Sequence, residues 1–189
     1  DMLNAKYVIF DDNNTEVNAG ALGNAWFVNE IKFVDSPKAE IDALASFNPS
    51  TTAVSDKKFE KILSGAATTT APTDTIFETS YAPNRLTYHA SSAKGGLAVF
   101  SEVYFPWGWN VTIDGAPVEM GRVNYILRAL KVPAGNHTIE FSFEPQSVRT
   151  TEIIAYVAIG IIYIGVAALL IFGILNKKRK KDTLTISEE

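Results

Sequence analysis

The heptapeptide Trp109-Asn-Val-Thr-Ile-Asp-Gly115 carries the pattern that decides the fold. Apolar residues at positions 109, 111 and 113 alternate with polar residues at 110 and 112, which is the two-residue period of a strand with one buried face. Asp114-Gly115 then predicts a tight hairpin turn, because both residues tolerate the left-handed backbone that such turns need. A half-buried strand that ends in a hairpin turn indicates an antiparallel β fold.

Similar runs recur on both sides of that strand. Those predicted as strands, separated by turn residues, are Thr75–Tyr81, Arg85–Ser91, Leu97–Tyr104, Trp109–Asp114, Val123–Val132 and His137–Glu144. Strands at this spacing predict a mainly β fold, an antiparallel β-sandwich of the jelly-roll or immunoglobulin-like type, over residues 76–146.

Residues 1–63 predict a smaller α/β part in front of the sandwich. Its strand candidates are the apolar run Lys6–Phe10, expected to be buried, then Ala25–Val34 and a short stretch around Thr52–Ser55.

The same part contains one helix signal. Ser36-Pro37 supplies an N-cap and a first helical residue for a helix running to about Phe47, with Ile41, Leu44 and Ala45 on one face. Residues 64–75, SGAATTTAPTDT, are small, polar and proline-containing, which predicts a linker or exposed loop between the two parts.

A long apolar segment lies near the C-terminus. Residues 153–175, IIAYVAIGIIYIGVAALLIFGIL, contain no charged side chain, and a helix of about 20 such residues spans the hydrocarbon core of a bilayer. Five basic residues lie at 177–181, and Lys and Arg concentrate on the cytoplasmic side of membrane helices. The sequence therefore predicts a transmembrane helix, a juxtamembrane segment at 147–152 and a basic cytoplasmic tail at 176–189, with residues 1–152 extracytoplasmic.

The start of the chain bears on how that domain leaves the cytoplasm. Asp1-Met-Leu-Asn4 has neither the basic nor the apolar region of an export signal. We therefore expect either a removed signal peptide or a longer, polytopic protein of which this sequence is the C-terminal piece.

Composition narrows the possible functions. Residues 1–152 hold 12 basic and 18 acidic side chains, a net charge of −6, which is the wrong sign for general binding to nucleic acid. The chain has no cysteine, which excludes disulfides and thiolate chemistry.

Catalytic and metal-binding patterns are weak. His89 and His137 lack neighbouring ligands at metal-site spacing and are predicted to be solvent-facing strand residues. Glu102 and Asp114 are the carboxylates considered as a hydrolytic pair, but Asp114 is accounted for by its turn. The sequence predicts no catalytic residue, no metal site and no cofactor.

The most pointed feature is the aromatic cluster Tyr104-Phe-Pro-Trp-Gly-Trp109. Tyr104, Trp107 and Trp109 are candidates for stacking on sugar rings or for resting at the lipid interface. The alternative is structural, with Trp109 in the sandwich core and Trp107 packed in the loop.

Blocks of the sequence resemble, in order, the C-terminal region of YfhO-like bacterial membrane proteins. They are Met2–Ile9, Gly23–Val28, Tyr81–Leu86, Phe100–Trp109, Ile113–Gly115, Arg122–Ala129 and Val132–Phe141. The Gly23–Val28 block, GNAWFV, is similar to the Bacteroidetes branch of that family.

The resemblance implies a polytopic inner-membrane protein of the GT-C type. Such proteins resemble glycosyltransferases that use polyprenyl-phosphate sugars to modify cell-envelope polymers. Because their catalytic carboxylate lies near the N-terminus, this chain would be a non-catalytic domain that binds acceptor or has a structural role. Its implied partners are the lipid bilayer, upstream transmembrane helices and a cell-envelope glycan or lipid-linked sugar. The alternative is a single-span, membrane-anchored glycan-binding or adhesion protein.

Overall fold

The computed structural model describes residues 1–67 and 70–186, with side chains up to Lys177. Thr68 and Thr69 of the predicted linker, and residues 187–189 of the predicted tail, lie outside the described residues. The chain divides into two compact units between Glu144 and Pro145. Residues 1–144 are called the β domain below.

Short strands dominate the β domain. They are β1 (Tyr7–Asp11), β2 (Asn14–Val17), β3 (Ala25–Val28), β4 (Glu30–Val34), β5 (Thr52–Asp56), β6 (Thr75–Ala82), β7 (Arg85–Ser92), β8 (Gly96–Val103), β9 (Trp109–Ile113), β10 (Ala116–Pro117), β11 (Gly121–Val123), β12 (Leu127–Val132) and β13 (Gly135–Phe143). The helices are α1 (Pro37–Ala43), α2 (Glu60–Leu63) and, after the β domain, α3 (Gln146–Ile186), with 3-10 turns at Leu44–Ser46 and Lys57–Phe59.

Two antiparallel sheets form a sandwich. One has the strand order β10-β9-β13-β7-β6 and the other β11-β12-β8-β3. Their inner faces share one core, in which the rings of Tyr88 and Phe141 from the first sheet meet Phe100 from the second at 4.9 and 5.0 Å, edge to face. The predicted mainly β fold with antiparallel sheets and a long apolar C-terminal helix is confirmed. Since β3 pairs with β8, the chain before residue 64 also contributes to the sandwich.

A second core covers the outer face of the four-stranded sheet. Val99 and Leu127 of that sheet pack with Ala53 of β5 and with Phe59 and Leu63. The parallel pair β4-β5 and the short helical segments after β5 thus form a third layer. This layer brings the turn at Lys57–Phe59 close to the connection between β11 and β12.

Several sequence predictions are wrong in detail. The candidate strand Ala25–Val34 is two strands, β3 and β4, which are separated by Asn29 and belong to different sheets. Val123–Val132 is not one strand, since residues 124–126 form the connection between β11 and β12. The run Lys6–Phe10 forms a strand, β1, but it is exposed rather than buried, with Ile9 at 73%. Ser36 does cap α1 by accepting a hydrogen bond from the N–H of Ala39, yet the buried residue of that helix is Glu40, and Ile41 is exposed.

The predicted membrane span at residues 153–175 lies within α3. Its stretch Gln146–Lys177 has a mean hydropathy of 2.7 in its most apolar window and is long and apolar enough to cross a bilayer. None of that window is buried against other described residues, as expected for a helix whose apolar surface faces lipid.

Candidate ligand groove

A groove of about 480 Å³ opens between the third layer and the edge of the four-stranded sheet. Its polar and aromatic lining consists of Lys58, Phe59, Tyr104, Trp107, Arg122 and Tyr125, and the other lining side chains are apolar. The volume is in the range of pockets that hold small organic ligands.

Local hydrogen bonds fix the two ends of the groove. At one end, the side chain of Asp56 accepts from the N–H of Lys58 at 3.0 Å and so starts the 3-10 turn that carries Lys58 and Phe59. At the other, the N–H of Tyr104 donates to the carbonyl of Ile126 at 2.7 Å, which ties the loop after β8 to the connection between β11 and β12. The rings of Phe59 and Tyr104 then meet edge to face at 5.4 Å.

A buried carboxylate holds two of the lining residues. Glu40 is fully buried, and its Oε2 accepts from a terminal nitrogen of Arg122 at 2.6 Å. Its Oε1 accepts from the backbone N–H of Tyr125 at 2.8 Å. Both oxygens of one carboxylate therefore position neighbouring parts of the groove wall.

The connection that carries Tyr125 has an unusual backbone. Asn124 and Tyr125 have φ of 49° and 71°, a left-handed conformation that is uncommon for a bulky residue such as Tyr. Asn124 is fully buried and holds β5 through two bonds: its N–H donates to Val54 at 2.7 Å, and its Oδ1 accepts from Val54 at 2.9 Å. The tertiary structure thus imposes the conformation that places Tyr125 in the groove.

Arg122 lies between two aromatic rings. Its guanidinium carbon is 5.6 Å from the ring centre of Phe59 and 5.2 Å from that of Tyr125. The side chain is 17% exposed, and its Nε is buried without a hydrogen-bond partner among the described residues. Lys58 and Arg122 are the charged residues that line the groove, and no carboxylate is among its described lining residues.

Burial also affects the phenol of Tyr104. Loss of contact with water raises the pKa of Tyr104 above its usual value, and the nearby charge of Arg122 partly opposes that rise. The hydroxyl is therefore neutral at physiological pH and available as a hydrogen-bond donor or acceptor.

The structure separates the three aromatic residues that the sequence singled out. Tyr104 and Trp107 line the groove. Trp107 is 74% exposed and rests edge to face on Phe105 at 5.2 Å. Trp109 is half-buried, and its ring covers the guanidinium of Arg128 at 4.3 Å. With Tyr104 it lines a separate groove of about 310 Å³.

Sequence reasoning missed Glu40, Arg122 and Tyr125. Arg122 lies just before the predicted strand Val123–Val132 and Tyr125 lies within it, whereas Glu40 stands on a predicted helix whose apolar residues are expected to face inward. The only available signal was the charge of Glu40 and Arg122 at positions that adjoin apolar runs.

The described residues contain no group of three or more metal-ligating side chains.

His137 is not solvent-facing as predicted, because its Nδ1 pairs with Asp114 at 2.6 Å and its Nε2 lies 3.1 Å from the carbonyl of Ala134, leaving the side chain 16% exposed. Because Asp114 also accepts from the N–H of Thr138 at 2.8 Å, its carboxylate is engaged in the turn and in the start of β13.

Comparison with known proteins gives one result. A family model described as bacterial membrane protein YfhO matches residues 49–155, which include all of the groove lining and the start of α3. No curated protein and no solved structure matches the chain.

Proposed function

The chain belongs to the YfhO family of bacterial membrane proteins, and we propose that it is the C-terminal domain and last transmembrane helix of a glycosyltransferase. In this proposal the whole protein is a polytopic, GT-C-type enzyme of the inner membrane, from the Bacteroidetes branch. It transfers sugars from polyprenyl-phosphate carriers to cell-envelope glycans. The present segment is non-catalytic and binds the acceptor glycan.

The observation that carries this proposal is the composition of the groove. Tyr104 and Trp107 offer aromatic surface, and aromatic rings with a polar edge suit ligands that are apolar on one face and hydroxylated at the rim, as sugars are. The lining includes no carboxylate among the described residues, whereas glycoside chemistry needs a pair of them. Binding without catalysis is the function that fits this lining.

The charges around the apolar helix support the orientation. Lys177, Lys178, Arg179, Lys180 and Lys181 follow the apolar segment, and only Arg149 lies shortly before it. By the positive-inside tendency, the tail is cytoplasmic and the β domain is extracytoplasmic. The groove would then face the compartment that contains the envelope glycans.

Sugar transfer by the full-length protein tests this assignment. Membranes that contain it are supplied with a labelled polyprenyl-phosphate sugar and an envelope glycan acceptor. We expect Trp107→Ala to raise the KM for the acceptor about tenfold and to leave kcat near the wild-type value, since aromatic stacking on a planar ligand is worth about 1–3 kcal/mol. Tyr81→Ala is the control, because Tyr81 is 68% exposed and does not line the groove.

A second variant tests the non-catalytic role. The double change Glu102→Gln with Asp114→Asn is expected to leave kcat unchanged, and a loss of about 100-fold or more would place catalysis in this segment. Absence of any sugar transfer, combined with glycan binding that Trp107→Ala abolishes, would favour a single-span adhesion protein instead.

A further inference from the structure

We propose that the groove binds an anionic saccharide, a sugar that carries a carboxylate or phosphate group, with Arg122 and Lys58 contacting the anion and Trp107 and Tyr125 contacting the ring. This inference rests on the proposed function, because it specifies the class of glycan that the segment binds.

The charge of the groove lining is opposite in sign to the net charge of the domain. The β domain and the eight residues that follow it, up to position 152, carry a net charge of −6, yet the charged residues that line the groove are both cations. Glu40 balances the charge of Arg122, so Lys58 supplies the positive charge that attracts anions to the groove against the field of the rest of the domain. Neutral sugars gain nothing from that arrangement.

The hydrogen bonds of Arg122 also favour an anionic ligand. One of its terminal nitrogens is used by Glu40 at 2.6 Å, while Nε has no partner among the described residues and is buried. A guanidinium has several N–H donors in one plane and binds carboxylate or phosphate through two of them. Glu40 uses one terminal nitrogen, and the side chain is 17% exposed, so the accessible part of the guanidinium can donate to an acceptor that arrives with the ligand.

The groove wall contains a buried carboxylate and a residue with a strained backbone. Glu40 is fully buried and serves only Arg122 and the N–H of Tyr125 among the described residues, and a buried ion pair is weak evidence for stability alone. Tyr125 is kept at φ 71°, and backbone strain of this kind clusters at ligand-binding positions. Together they fix a cation and an aromatic ring side by side, 5.2 Å apart.

The ligand's ring would meet aromatic surface at the groove rim. Trp107 is supported from one side by Phe105 and is otherwise exposed. Trp107 thus offers exposed aromatic surface at the rim to a sugar whose acidic group lies toward Arg122.

Matched ligands test the inference on the full 189-residue chain in lipid nanodiscs. The probes are a hexasaccharide of alternating glucuronic acid and N-acetylglucosamine and its methyl ester, which has the same rings without the charges. Mannose 6-phosphate and mannose form a second pair, which distinguishes phosphate from carboxylate as the preferred anion. Binding is measured by calorimetry at low salt and again at high salt, where screening reduces charge contributions.

We expect the acid to bind about tenfold more tightly than its ester, with the preference falling as salt rises. Lys58→Gln should weaken binding of the acid about fivefold and leave the ester unchanged, because it removes only charge. Trp107→Ala should weaken both about tenfold. Lys57→Gln is the matched control, since Lys57 neighbours Lys58 but pairs with Asp35 at 2.6 Å and does not line the groove.

The possible failures differ from one another. Equal affinity for each anionic sugar and its neutral counterpart would overturn the anionic inference and leave the glycan-binding function standing. Binding that neither Lys58→Gln nor Trp107→Ala affects would overturn the location of the site. No binding of any probe, together with unchanged acceptor KM for Trp107→Ala in the transfer reaction, would overturn both proposals.

Discussion

Two connections between strands of the β domain share a backbone conformation but are stabilised in different ways. Asp114 and Gly115, between β9 and β10, have φ of 51° and 81°, and Asn124 and Tyr125, between β11 and β12, have φ of 49° and 71°. Asp-Gly adopts consecutive left-handed residues readily. Tyr does not, because its Cβ crowds the backbone in that region.

The contacts around the two turns explain the difference. The first turn is exposed and is held by partners on the adjacent strand β13. The second is held from a distance in sequence, by Glu40 and by Val54. Local sequence therefore specifies the first turn, whereas the assembled domain specifies the second, and it is the second that shapes the groove.

The largest loss of unfolding free energy is expected when Glu40, which supports the second turn from a distant part of the sequence, is removed. Glu40→Ala leaves Arg122 and the N–H of Tyr125 without their acceptor, and breaking a mostly buried ion pair costs about 3 kcal/mol of unfolding free energy. The measurement is urea unfolding of the full chain in micelles, followed by the near-ultraviolet signal of the β domain. Asp114→Ala, which removes the acceptor of the exposed turn, should cost less.

Asp42→Ala is the control for that change, because Asp42 lies on the same helix but is exposed and pairs with the exposed Lys38 at 2.9 Å. An exposed pair of this kind contributes about 0.5 kcal/mol. A cost for Glu40→Ala as small as that of the control would mean that the second turn does not depend on Glu40.

An intermediate effect on stability is expected from substitutions at the left-handed backbone positions of the two turns. At both Gly115 and Tyr125 we compare the Gly and Ala variants, because the two differ only in the Cβ that the left-handed region disfavours. A Cβ at Gly115 would meet no atom within 4 Å, so the cost of Gly115→Ala is backbone strain alone. Gly should be more stable than Ala by about 1 kcal/mol at each position, as judged from urea midpoints. Equal stability of Tyr125→Gly and Tyr125→Ala would show that the backbone at 125 is not left-handed in solution.

The same comparison explains what the sequence could predict. The Asp114-Gly115 turn, the alternation of β9 and the apolar segment within α3 depend on neighbouring residues, so they are readable from local patterns. The turn at Asn124-Tyr125 is not, because apolar residues continue on both sides of it and Tyr, unlike Gly, does not favour the left-handed backbone after Asn. The apolar pattern therefore predicts one continuous strand from Val123 to Val132.

The candidate site shows the same limit. Tyr104 and Trp107 stand in a cluster whose composition suggested binding, and both line the groove. The partnership of Glu40 with Arg122 joins residues 82 positions apart, and no periodic pattern relates them. A buried Glu on a short helix contradicts the general tendency of charged residues to face water, so only the packed domain reveals it.

The smallest effect on stability is expected from a change of pH, which acts on the pair of His137 and Asp114 at the exposed turn. The hydrogen bond with Asp114 is the main cause that raises the pKa of His137 above its usual 6.5, and the carbonyl of Ala134 adds to it. The hydrogen bond with His137, followed by that from the N–H of Thr138, lowers the pKa of Asp114 below 3.8. The stabilisation due to His137 is thus complete below 6.5 and is lost as pH rises through its raised pKa, whereas that due to Asp114 is complete above 3.8 and is lost as pH falls.

The pair should therefore stabilise the domain most between these two values. We expect the difference in unfolding free energy between the wild type and His137→Gln to be larger at about pH 5.5 than at about pH 9. The Glu40→Ala difference at the same two pH values serves as the reference, because that change leaves the pair of His137 and Asp114 in place. A His137→Gln difference that grows toward pH 9 would mean that the imidazole is not stabilised in its charged form, and the first turn would then be held by Asp-Gly and by the bonds between Asp114 and Thr138.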